Sequence, residues 1–164
     1  MKKIFIIVAL FATAFVQQSF GQPVPTLREE NTKTQPSPLL TSYYNLKDAL
    51  VKSNADAAAV SATEFIKALN AADKETVKEE SRNALTGDAE AISKTKDLKV
   101  QREKFATLSA NMAALAKTVR LSADPVYLQY CPMKKASWLS DDKAIKNPYY
   151  GNAMLTCGSV KETF

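Results

Sequence analysis

The fold class this sequence predicts is all-α: an up-down four-helix bundle with a mostly irregular C-terminal extension docked on it, in which a short β-hairpin has room to form. Three observations carry that expectation. Apolar residues return every three or four positions through four successive segments, small polar residues and proline punctuate the joins, and the periodicity stops at "SADPVYL". Four such segments with short connections read as a bundle.

In chain order, residues 1–21 are read as a secretory signal peptide. "MKKIFIIVALFATAFVQQSFG" has a two-lysine start, an apolar run from Ile4 to Val16, and small residues at Ser19 and Gly21, after which the cut is expected. The apolar run is shorter than the roughly 20 residues a spanning helix needs, so no membrane insertion is expected after cleavage. The expected location is the periplasm or the cell exterior. Residues 22–37, "QPVPTLREENTKTQPS", place prolines among polar residues and read as a disordered leader.

The bundle is assigned to residues 38–121. Leu39, Tyr43, Leu46 and Leu50 share one helical face, and Asn54 is a plausible cap for the second helix, whose stripe is Ala58, Ala62, Phe65, Ile66 and Leu69. The third segment, about Lys74 to Lys94, has Asp73 as its expected cap and carries Val77, Ala84, Leu85, Ala91 and Ile92. Gly87 interrupts it, so a kink or break is expected between Thr86 and Asp88. The fourth segment has the clearest seam: Leu98, Phe105, Leu108, Met112, Leu115 and Val119, with Gln101 as a polar intruder.

Residues 122–164 form the Cys- and Met-containing extension of the same domain. Val126, Leu128 and Tyr130 alternate with Tyr127 and Gln129, which suits a short strand with one buried face, and "NPYYG" is a turn signal. Trp138 is the expected apolar anchor of this tail.

Composition narrows the chemistry. Lys and Arg number 22 against 17 acidic residues, and losing Lys2 and Lys3 with the signal lowers the net charge from +5 to +3. Lysines and acids are interleaved, so the basic patch of a nucleic-acid binder is missing. The absence of histidine removes imidazole bases, imidazole metal ligands and the usual hydrolytic triads. The paired acids Glu79 with Glu80 and Asp141 with Asp142 are neighbours in sequence and read as solvated surface, and none of the four glycines builds a phosphate loop. No enzymatic activity is expected.

What remains is sulfur. The two cysteines each have a methionine close by, as Cys131 with Met133 in "CPM" and Met154 with Cys157 in "MLTC". One reading is a Cys131–Cys157 disulfide that closes a loop of about 26 residues and contributes roughly 3–4 kcal/mol to a structural or protein-interaction domain. The other is a nitrogen-free set of two thiolates and two thioethers, which selects Cu(I), or Ag(I) as its mimic, over hard cations. A third joins them, with metal held by the reduced pair and released when the disulfide forms.

The run "YLQYCPMKKASWLSDDKAIKNPYYGNAMLTCGSVKETF", with the helix "LKVQREKFATLSANM" before it, resembles an uncharacterised exported bacterial helical domain family. Its C-terminal signature joins Cys-Pro-Met, Asn-Pro-Tyr-Tyr-Gly and Met-Leu-x-Cys-Gly. Similar domains extend periplasmic adaptor subunits of copper and silver efflux pumps. The resemblance therefore implies metal handling at Cys131, Met133, Met154 and Cys157, with an efflux adaptor or metallochaperone as partner. The stretch "KKASWLS" is shorter here than its counterpart in the family, which bears on the geometry of the site.

Overall fold

The computed structural model describes residues 36–164, so the predicted signal peptide and all but the last two residues of the predicted leader lie outside the described residues. Four helices are followed by a small sheet: α1 Pro38–Val51, α2 Ala55–Ala71, α3 Glu79–Ser93, α4 Leu98–Thr118, then β1 Tyr127–Cys131, β2 Ala136–Ser140 and β3 Ser159–Thr163, with a 3₁₀ turn at Gly151–Met154. Among the described residues no helix is long and apolar enough to cross a membrane.

Each helix begins where its chemistry allows. Pro38 occupies the first turn of α1, where its missing N–H costs nothing, and the Ser37 hydroxyl accepts from Leu40 N at 3.3 Å. Ser37 N also donates to Leu121 O at 2.9 Å, which ties the entry of α1 to the exit of α4. Asn54 caps α2 as expected, accepting from Ala57 N at 3.0 Å, and Asp97 does the same for α4.

Consecutive helices pack on one another and bury most of the predicted stripes, with Ile66, Leu98 and Val119 half-buried at their edges. Leu39, Tyr43, Leu46 and Leu50 of α1, Ala58, Ala62, Phe65 and Leu69 of α2, and Phe105, Leu108, Met112 and Leu115 of α4 are all buried. Gln101 is buried as well, and its Nε2 donates to the carbonyls of Ala55 and Thr95 at 2.9 and 2.8 Å, so the polar intruder joins α4 to the start of α2.

The third helix departs from expectation. It starts at Glu79 rather than near Lys74, and it runs unbroken through Gly87. A glycine costs about 1 kcal/mol in a helix interior, less than burying Leu85, Ala89 and Ile92 on one face returns. Asp73 does not cap α3: its carboxylate accepts from Glu75 N at 2.7 Å within the preceding turn, and the N-cap position belongs to Lys78. Ala84 is exposed, and Val77 is buried from the connection rather than from the helix.

The extension is more regular than expected. β1 is the central strand of an antiparallel sheet of order β2-β1-β3, so the anticipated hairpin exists and a third strand is added. Gln129 pairs with Trp138 and Leu128 with Leu139, while an irregularity in the β1–β3 register falls between Leu128 and Gln129. The expected alternation holds at Val126, which is buried just ahead of β1, and is inverted within the strand. Gln129 and Cys131 are the fully buried residues of β1, and Leu128 and Tyr130 are half-buried. Which side of β1 is buried follows from what packs on it. α4 packs against β2, with Leu128 and Ala136 lining a groove beside Ala106, Ala110 and Ala113, whereas Gln129 Nε2 reaches the carbonyl of Asp142 at 2.7 Å in the segment that covers its side of the strand.

An aromatic series joins the two parts. Tyr43 stacks on Phe105 at 5.4 Å, Phe105 meets Tyr149 at 6.0 Å, and Tyr149 meets the edge of Trp138 at 5.8 Å. Trp138 is fully buried, as expected of the anchor.

Candidate functional site

Cys131 ends β1 and Cys157 lies just ahead of β3, so the pairing of these two strands brings together residues 26 apart in sequence. Their sulfurs are 3.7 Å apart and unbridged. Cys131 is buried and Cys157 is half-buried, so the pair sits at the margin of the core with one sulfur in and one partly out.

The hairpin turn shapes the environment of Cys131. Lys135 N donates to Cys131 O at 2.8 Å, and Lys135 takes a left-handed φ of 57°, which curls residues 132–135 back over the end of the strand.

Burial raises the Cys131 thiol, but hydrogen bonds from the Lys134 backbone, the Asn147 side chain, Cys157 and the Met133 backbone outweigh it, and its pKa is lowered. Cys157 moves the other way. Its hydrogen bond to Cys131 holds its proton, with burial and the nearby Cys131 charge acting in the same direction, and its pKa is raised. The pair is therefore polarised into a thiolate-leaning sulfur inside and a thiol-leaning sulfur outside.

The loop that carries Cys157 is fixed by Asn147, which is fully buried. Its backbone N donates to Leu155 O at 2.8 Å, its Nδ2 donates to Cys157 O at 2.8 Å, and its Oδ1 accepts from Tyr149 N at 2.8 Å. Arg102 of α4 pins the same loop to the bundle, donating to Pro148 O at 3.0 Å, Leu50 O at 3.1 Å and Ser53 Oγ at 2.8 Å. Neither residue was among the candidates read from sequence. "NPYYG" signalled the turn, and nothing in it marks Asn147 as the residue that holds the Cys157 carbonyl.

The two methionines lie between the cysteines in the chain, and both are exposed, Met133 at 62% and Met154 at 39%. Among the described residues no group of three or more His, Cys, Asp or Glu side chains gathers, so the thiols have no carboxylate or imidazole completing a ligand set.

Comparison with curated proteins and with solved structures returns no match. A family described as "Protein of unknown function (DUF3347)" matches residues 39–124, which is more than half of the chain. That span holds the four helices and stops ahead of β1, so the paired thiols lie beyond it. On this match the chain belongs to the DUF3347 family.

Proposed function

We propose that this protein binds a soft monovalent metal ion, Cu(I) with Ag(I) as its mimic, through Cys131 and Cys157, and that it buffers the ion or hands it to an efflux system. The observation that carries the proposal is the separation of the two free sulfurs. A disulfide requires about 2.05 Å. A three- or four-coordinate ion with sulfur bonds of about 2.3 Å holds two sulfurs about 3.8–4.0 Å apart, and a linear two-coordinate ion needs about 4.6 Å. The observed 3.7 Å suits the higher coordination numbers, which call for further ligands.

Met133 and Met154 supply them in this reading. Each lies within three residues of a site cysteine, and an exposed methionine has the rotamer freedom to swing onto an ion. Thiolate and thioether together favour a soft monovalent ion and discriminate against magnesium, calcium and manganese. Both sulfurs bind as thiolates, so uptake releases to solvent whatever protons the two thiols still carry. Handover to a periplasmic efflux adaptor or a metallochaperone is supported by the resemblance to domains appended to such adaptors, and the exposed thioethers are where a partner's sulfur ligands can reach the ion.

The test is a competition titration of the reduced protein with Cu(I) against a chromogenic chelator. One ion per chain is expected. Cys131→Ser abolishes tight binding, and Met133→Leu and Met154→Leu each weaken it by about tenfold. Unchanged affinity in all three variants would sink the proposal and leave the alternative, a structural domain whose cysteines form a bridge.

A further inference from the structure

We infer that Asn147 is a positioning residue for the thiol pair: its buried side chain, by holding the Cys157 carbonyl, fixes the separation of the two sulfurs and thereby how tightly they take a thiophilic ion. Cys131 is placed by the sheet itself, being paired with Ala136 at the end of β1. Cys157 has no such support, since it precedes β3 and follows the 3₁₀ turn. Its place is set by the loop, where Cys157 N donates to Met154 O at 3.1 Å and where the two Asn147 donors hold the carbonyls of Leu155 and Cys157, each at 2.8 Å.

Asn147 is suited to this because one side chain does two opposite things. Its Oδ1 accepts from Tyr149 N, which keeps its own turn closed, and its Nδ2 donates across the loop to Cys157 O. A carboxylate of the same shape keeps the first bond and loses the second, so Asn147→Asp separates holding the turn from holding the cysteine.

The experiment uses the reduced full chain and phenylarsine oxide, which condenses with two close thiols to give a cyclic dithioarsenite and one water and needs no metal. Trp138, the single tryptophan, lies against Gly158 beside Cys157, so its fluorescence reports occupancy. Wild type is expected to bind one arsenical per chain. Asn147→Asp and Asn147→Ala are expected to weaken arsenical binding by at least about tenfold, whereas Tyr43→Phe, which loosens the fold away from the thiols, leaves it unchanged.

Wild-type affinity in Asn147→Asp overturns the inference, and so does an equal loss in Tyr43→Phe. In the unsubstituted protein, NMR gives an arm that needs no folded variant: the Asn147 side-chain amide is expected to resist solvent exchange and to shift when the arsenical binds. Fast exchange without a shift overturns the inference equally. The role in ion affinity rests on the metal-binding reading, and the two fail separately. Arsenical capture that depends on Asn147, without Cu(I) uptake by the wild type, supports the positioning role and contradicts the metal reading.

Discussion

At Tyr43 a single hydroxyl connects helix to sheet. It lies 2.7 Å from Ser109 Oγ and accepts from Leu139 N at 3.1 Å, all in the buried core. Removing it in Tyr43→Phe strips a partner from a buried N–H, and chemical denaturation is expected to show a loss of about 1–3 kcal/mol. Burial also drives the phenols of Tyr43 and Tyr149 well above their ordinary value of 10.0. Since the folded state holds them neutral, their contribution is complete below about pH 10 and falls as pH rises past the unfolded value. The denaturation midpoint is therefore expected to drop steeply above pH 10, and Tyr43→Phe to drop less. The sequence reading reached Tyr43 through its place on an apolar stripe. It could not reach the hydroxyl's partners, 66 and 96 residues away, because spacing reports a face and carries no information about which distant polar atoms meet it. Asn147 was out of reach for the same reason.

The four helices were the most legible elements because each buries one stripe of a repeating pattern, so periodicity and burial coincide. Local signals misled where tertiary burial overrode them, as at Gly87, where the helix continues, and at Asp73, whose side chain closes a turn instead of capping a helix. The sheet was half legible. β3 was missed because all five of its residues are exposed, leaving no alternation to read, and β1 was read inside out because the segment near Asp142 buries the Gln129 side of the strand. Gly158 is the weak point of this element. At φ +153° a β-carbon there comes to 3.0 Å from both Trp138 Cη2 and Tyr130 O. Gly158→Ala is expected to destabilise by about 1–3 kcal/mol and, by moving Cys157, to cut arsenical capture along with stability. The hairpin turn offers the opposite change: Lys135 is left-handed at φ 57°, and Lys135→Gly is expected to raise stability by up to about 1 kcal/mol in the same denaturation assay.

Over the whole molecule, a helical scaffold places a small sheet, and the sheet places two thiols. The family match covers the scaffold and ends before the sheet, so the chemistry proposed here belongs to the extension and is supported by its own geometry. Sequence singled out Cys131 and Cys157 because they are the two cysteines of the chain and each has a methionine close by, which left a disulfide and a soft-metal site both open. It did not reveal that the inner thiol is the more acidic, which depends on turn N–H groups and on a loop residue 16 positions away. In the reduced protein, thiolate absorbance is expected to rise in two separate steps, the lower one lost in Cys131→Ser. The central claim is that both thiols hold one soft ion, and X-ray absorption at the copper edge of the Cu(I)-loaded chain tests it most directly. A shell of three or four sulfurs at about 2.3 Å, with no nitrogen or oxygen scatterer, is the expected result. A shell containing nitrogen or oxygen, or a reduced chain that takes up no copper, would contradict it.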